Sequence, residues 1–252
     1  MSTPSKPPSV DEPLVEVTVS APADEVWRWL RDPAVIAQWF GWDADTLPAE
    51  IEFIFVEHAV ASEADRTVSF GDMPDRFELE VRGDTTIVRV VRSAPAADHD
   101  WDDVFEDMTQ GWIAFFRQLE FALERHAADT RRTLYFSGSP RNAGDPLGVA
   151  ALGLPAISAA GERYAVSSST GETLAGQIWH RGRYQLGVTV DSWGDGLLIV
   201  MDRPASDRWP TGGSQAILTT YGLSDEAFSA LETRWSTWWN DRFGPPAQST
   251  CD

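Results

Sequence analysis

The segment LVEVTVS, Leu14 to Ser20, alternates apolar and polar positions and is rich in β-branched residues, which predicts a strand. APADEVWRWLRDPAVIAQWF follows. Pro22 suits the first turn of a helix, and Asp24 and Glu25 stand where the helix dipole favours negative charge. Val26, Trp27 and Leu30 recur at helical spacing. Arg31–Pro33 then breaks the helix before a second short one ending near Trp39. Between Glu50 and Ala94 the period falls to two. IEFIFV, RTVSFGD, RFELEVRG and TTIVRVVRS read as antiparallel strands, with a hairpin turn at Gly83 and Asp84. From Trp101 the period returns to that of a helix. Met108, Trp112, Phe115, Leu119 and Leu123 share one face, with Phe116 beside them. Asp102, Asp103, Glu106 and Asp107 crowd its start, and Arg125 and His126 its end, as the dipole prefers.

After HAADTRR the same order begins again. TLYFSGS predicts a strand, and DPLGVAALGLPAI a weak helix cut by glycines and Pro155. RYAVSSS, ETLAGQIWH, RYQLGVTVDSW, GLLIVMDRP and SQAILTTYGL read as further strands. Ser224 is placed to cap a helix through SDEAFSALETRWSTWWNDRF, on which Phe228, Leu231, Trp235, Trp238 and Arg242 share a face. Trp239 falls off that stripe and reads as an interface or domain-contact residue. Trp112 and Trp235 take equivalent places, and so do the strands at Leu14 and Leu134. The expected class is therefore α+β, as two copies of one module that repeat in element order rather than residue identity. The expected divisions are a disordered lead-in at 1–12, module one at 13–128, module two at 132–245 and a tail at 246–252.

At 252 residues the chain accommodates two ordinary domains. Its apolar runs are too short to span a bilayer, and the polar, proline-rich start does not read as a signal peptide. The single cysteine, Cys251, rules out a disulfide framework or a cysteine-rich metal site, and the default location is cytoplasmic. Net charge is −19, and residues 1–128 hold 26 acids against 10 basic residues, a balance of −16. So acidic a surface repels phosphate backbones and anionic lipid heads, which makes nucleic acid and membranes poor partners. Its simplest role is solubility.

VTVSAPADEVWRWLRDPAVIAQWF, followed after the strands by GWIAFFRQLEFALE, resembles the START-like (SRPBCC) superfamily. Within it the resemblance is to the branch related to the C-terminal domain of the Hsp90 ATPase activator. The match covers nearly all of module one. The branch's usual glycine-pair turn motif is replaced here by DTLPAEIEFIFV, and module two resembles the superfamily only in element order and its aromatic closing helix. The resemblance implies a helix-grip fold, in which a curved antiparallel sheet wraps a long C-terminal helix around an apolar cavity. It also implies a hydrophobic ligand such as a lipid or polyketide, with a chaperone partner, self-association or cyclase-type catalysis as alternatives.

On that reading the ligand-binding candidates are Trp27, Phe53, Phe55, Phe70, Phe77, Leu79, Met108, Trp112, Phe115, Phe116 and Leu119 in module one. Module two adds Trp179, Trp235 and Trp238. Large rings each bury about 150–250 Å² and hold a guest with few polar contacts. For catalysis the sequence offers only His180, with Asp191 as a carboxylate to orient it, and His58 at a strand end; the plainer reading of each is a turn or surface histidine. Glu78 and Glu80 alternate with Phe77 and Leu79, so the two acids are expected to face water. No histidine spacing suits a metal, no phosphate-binding or nucleophile motif occurs, and no cofactor is expected.

Overall fold

β1 (Pro13–Val19) turns Val15, Val17 and Val19 inward, and its partner is the distant strand β5 (Thr85–Arg92), antiparallel. A computed structural model describes residues 13–71, 73–92, 102–154, 159–206 and 211–245. They divide into two compact units, residues 1–127 and 128–252. The lead-in, the tail, Pro155, and the acidic side chains at the start of the first long helix lie outside the described residues.

In unit 1, α1 (Ala23–Trp29) starts after Pro22, with Asp24 and Glu25 in its first turn. α2 (Pro33–Ile36) is capped by Asp32, whose carboxylate accepts from Ala34 N at 3.1 Å. β2 (Ala59–Ser62), β3 (Thr67–Phe70), β4 (Asp75–Arg82) and β5 form a meander, and the sheet order is β1-β5-β4-β3-β2. Gly83 takes a positive φ of 60° at the β4–β5 turn, which a side chain would resist. Two long helices close the units, α4 in unit 1 and α6 in unit 2. α4 (Asp102–Arg125) packs on β1. Its fully buried stripe is Trp112, Phe116 and Leu119, with Phe115 half-buried beside it, so Phe116 holds the central place expected of Phe115.

IEFIFV is not a strand. α3 (Leu47–Ile51) runs on into a π-helical segment, Glu52–Glu57. Leu47, Ile51 and Phe55 are buried at a spacing of four, which is a helical spacing, while Phe53 and Val56 are exposed. The expectation of an extended strand here is corrected, and Phe53 leaves the interior with it.

The outer face of the sheet carries Glu78 and Glu80, as alternation requires. They enter a ladder of ion pairs in which Arg76 meets Glu78 at 2.7 Å, and Arg89 bridges Glu80 at 2.7 Å and Glu16 on β1. These groups are partly exposed, and each pair contributes little on its own.

Unit 2 repeats the wrapping with two strands more. It contains β6 (Arg131–Pro140), α5 (Gly148–Leu152), β7 (Arg163–Ser167), β8 (Thr173–Arg181), β9 (Gln185–Val190), β10 (Gly196–Arg203) and β11 (Gly213–Tyr221). α6 (Asp225–Arg242) and the two-residue β12 (Phe243–Gly244) follow. The order is β12-β6-β11-β10-β9-β8-β7, so in both units the first strand lies beside the last strand of the meander. Ser224 caps α6 by accepting from Ala227 N at 3.2 Å. The sheet face towards α6 carries Leu186, Val188, Leu198, Val200, Ala216 and Leu218, and Phe228, Leu231, Trp235 and Trp238 close over it. Trp239 is not a surface anchor. It is 3% exposed within the same core, stacked on Phe243 at 4.3 Å, because the chain turns back into β12 immediately after the helix. The chain is thus an α+β tandem of two helix-grip modules, each an antiparallel sheet closed by its last long helix.

Candidate functional site

Between sheet and α4, unit 1 holds a continuous set of aromatic rings. Phe77 on β4 sits at its centre, 4.7 Å from Phe70, 4.8 Å from Phe116 and 5.1 Å from Trp112, each edge to face. Phe55, from the π-helical segment, reaches Phe70 at 5.7 Å and Phe40 at 4.9 Å. Edge-to-face pairs of this kind each add about 0.5–1.5 kcal/mol to area burial. The set does not end in the interior. Phe40 meets the half-buried Phe115 at 4.9 Å, and Phe115 meets the half-buried Trp42 at 6.4 Å, which carries the ring surface out to a rim.

One charged group lies against these rings. The Asp75 carboxylate, with no solvent exposure, accepts Nε and Nη2 of Arg92 at 2.6 and 2.9 Å and the Trp112 indole N–H at 2.9 Å. Arg92 Nη1 donates to Thr109 Oγ1 on α4 at 2.9 Å. Both carboxylate oxygens are engaged, so Asp75 fixes the helix to the sheet.

In unit 2 the tryptophans of α6 are held in the same manner. Glu172, in the β7–β8 turn, accepts Trp235 Nε1 at 2.8 Å, Trp193 Nε1 at 3.4 Å and Arg234 Nη1 at 3.2 Å. Trp238 Nε1 donates to Ser169 Oγ in that turn at 2.9 Å. Burial raises the Tyr164 hydroxyl pKa strongly, with Asp191 and Glu172 adding to the effect, and Tyr164 donates to Thr189 O at 2.8 Å.

The structure brings together Phe55, Phe70, Phe77, Trp112, Phe116 and Leu119, with Trp27, Leu79 and Phe115 at the edge of the same core. Met108 is half-buried and is not packed into it. Phe53 stands outside, 56% exposed, with its ring against His58 at 4.0 Å. Trp235 and Trp238 lie in the unit 2 core, whereas Trp179 occupies a bulge in β8 and is not packed there. That bulge also decides His180. Its partner across the ladder is Gly187, which alternates with the core residues Leu186 and Val188, so the imidazole stands on the sheet face away from α6. Asp191 pairs with Arg163 at 2.9 Å, and His58 is exposed with Nδ1 2.8 Å from Phe53 O. The three catalytic candidates do not converge. Sequence reasoning missed Trp39, Phe40 and Trp42, although AQWFGW places three rings in four residues, and it missed both anchoring carboxylates, which no local pattern marks.

Among the described residues no group of three or more His, Cys, Asp or Glu side chains is arranged to hold a metal, and no helix is long and apolar enough to cross a membrane. No family model matches the chain, and neither does any curated protein. Solved structures similar to it include three biosynthetic proteins. DynU16, from the dynemicin biosynthetic locus, is 20% identical with a TM-score of 0.31, over 89% of this chain and 93% of that one. The di-domain ARO/CYC StfQ of the steffimycin biosynthetic pathway is 12% identical with a TM-score of 0.31, over 90% and 91%. The di-domain ARO/CYC BexL of the BE-7585A biosynthetic pathway is 15% identical with a TM-score of 0.32, over 88% and 93%. At scores this low, the helix-grip assignment rests on the strand order and helix placement described above.

Proposed function

We propose that unit 1 is a non-enzymatic binder of a small hydrophobic molecule, lipid- or polyketide-like, held between its sheet and α4. The observation that carries the reading is the ring surface running from the buried Phe77 through Phe40 to the half-buried Phe115 and Trp42. A guest entering at that rim would exchange water for ring faces already in place, at little cost in ordering the protein. Titration with the neutral fluorophore N-phenyl-1-naphthylamine tests it. Saturable enhancement is expected, weakened severalfold by Phe115→Ala and Trp42→Ala. Failure of the probe to saturate would sink the reading.

A second reading, a protein-binding module of the Hsp90-activator branch, draws on different residues. Phe53, Val56 and Val60 are 56%, 47% and 66% exposed within eight residues, in an acidic stretch containing Glu50, Glu52, Glu57 and Glu63. Exposed apolar side chains so close together suit a partner surface. Sedimentation with purified Hsp90, comparing the natural chain with a Phe53→Glu, Val60→Glu variant, separates this reading from the first.

A further inference from the structure

The sheet of unit 1 ends at β2, and that edge differs from the other sheet edges of the two units. β1 begins with Pro13 and a register shift, β7 carries Arg163, and β12 has only two residues. Proline, an irregular register or a charge is the usual means of closing an edge to further pairing. β2 runs Ala59, Val60, Ala61, Ser62, with no proline, no charge and an unbroken register against β3.

The hydrogen-bond pattern shows which way its backbone points. Leu79 N donates to Arg66 O at 3.0 Å, so Arg66 and Leu79 are a bonded pair at the end of the β3–β4 ladder. Bonded and non-bonded pairs alternate in an antiparallel ladder. Val68 therefore bonds to Phe77, while Thr67 and Ser69 turn their N–H and C=O to β2, where they meet Ser62 and Val60. Ser69 Oγ also donates to Val60 O at 3.4 Å. Ala59 and Ala61 are left to direct their N–H and C=O outward from the sheet.

The exposed large hydrophobic residues among the described ones are all in unit 1, and Phe53, Val56 and Val60 lead up to this edge. Phe53 is held in place. Its carbonyl accepts His58 N at 3.1 Å across the π-helical turn, and its ring lies 4.0 Å from that of His58. Such turns recur at functional sites. Residues 44–65 hold six acids, all exposed, and no lysine or arginine. That charge sets two copies of the edge against each other and suits a basic occupant.

We propose that β2 takes up an extended, basic segment of another protein as a further strand of the unit 1 sheet. The backbone of the segment bonds to Ala59 and Ala61, its apolar side chains lie beside Val60 and Phe53, and its cations face Glu57 and Glu63. Main-chain bonds supply the affinity in this mode, and the side chains supply the preference. The proposal rests on the second reading above, and adds to it the mode of docking and the charge of the occupant.

The probe is the fluorescein-labelled peptide KVKVKVK, with EVEVEVE as its acidic counterpart, followed by fluorescence anisotropy at pH 7.5. KVKVKVK is expected to saturate at low salt and to weaken at high salt, and EVEVEVE is expected not to bind. Ala61→Pro deletes an outward N–H without removing a bond to β3, so the urea midpoint is expected to stay unchanged. The same variant is expected to weaken KVKVKVK about tenfold, the size of one lost main-chain bond. Should it not fold, amide exchange in the natural chain decides, with Ala59 and Ala61 expected to slow when the peptide is bound. Failure of KVKVKVK to saturate overturns the proposal. Equal affinity for the natural chain and Ala61→Pro, or exchange that does not slow, overturns strand addition and leaves the second reading to its Hsp90 test. Equal binding of the two peptides overturns the basic occupant. A chain that sediments as a dimer, and as a monomer once Ala61→Pro is made, overturns it in favour of a second copy. Peptide binding that Ala61→Pro weakens, in a chain that does not sediment with Hsp90, removes that partner and keeps the edge.

Discussion

The Trp112 indole N–H donates to the buried carboxylate of Asp75 at 2.9 Å, and this bond joins the closing helix of unit 1 to the start of β4. The equivalent tryptophan of unit 2, Trp235, donates to Glu172 at 2.8 Å, in the turn before β8. In both units an arginine shares the acceptor, Arg92 in one and Arg234 in the other. The two carboxylates occupy different positions along their sheets, so the units share the device without sharing its placement. An indole that must lie flat in an apolar core still carries one donor, and each module supplies one carboxylate for it.

Asp75→Asn is therefore expected to be severe. Asp75 has no solvent exposure and Arg92 has 9%, so the amide would leave the guanidinium buried without its counter-charge. Removing one partner of such a pair costs about 3–5 kcal/mol. Urea unfolding followed by circular dichroism reads the loss as a lower midpoint with an unchanged slope.

Glu172 separates an indole contact from an ion pair. Glu172→Ala strands the Trp235 N–H in the core and is expected to cost about 1–3 kcal/mol. Arg234→Ala removes only a guanidinium that is 40% exposed, and is expected to cost less than about 1 kcal/mol. If the two losses are equal, the ion pair and not the indole is what Glu172 is there to serve.

What the sequence disclosed and what it hid follow a physical line. The alternation in RFELEVR announces a strand because Phe77 and Leu79 turn to the core while Glu78 and Glu80 join an ion-pair ladder. IEFIFV misleads because a short run of β-branched and aromatic residues suits a strand as well as a buried helix. Counting from Leu47 through Ile51 to Phe55 would have exposed the helical spacing. In β8, strict alternation from Leu174 through Ile178 places His180 in the core, and the bulge at Trp179 reverses it. The Asp75–Trp112 bond joins residues 37 apart in sequence, and the Trp239–Phe243 stack needs the turn into β12. Neither leaves a trace in local periodicity.

Glu120 gives a pH-dependent expectation. Burial raises its carboxyl pKa above the ordinary glutamate value of 4.5, against the opposing pull of Arg117. A raised acid holds its proton better in the folded state than in the unfolded one. Its contribution is thus fully present below the unfolded pKa and is lost as pH rises through the folded one. Glu120→Gln is expected to stabilise the protein at pH 7 and to give no advantage at pH 3.5, where both forms are neutral. Thermal melts of the two proteins across that range check the sign. A variant less stable at pH 7 would mean that the Arg117 contact at 2.8 Å outweighs desolvation.

Gly187 and His180 supply the last expectation. A Cβ built on Gly187 would lie 2.2 Å from His180 Nδ1, and the imidazole, 4% exposed, has little room to withdraw. Gly187→Ala is expected to cost about 1–3 kcal/mol through overpacking. In a His180→Ala background the ring is gone and the same change should cost much less, giving a coupling of about 1–2 kcal/mol in a double-mutant cycle. Additive losses would place the imidazole elsewhere, and with it the bulge that turns His180 away from α6. Because the cycle measures position and not chemistry, it decides without any substrate whether His180 can reach a guest in the grip of unit 2.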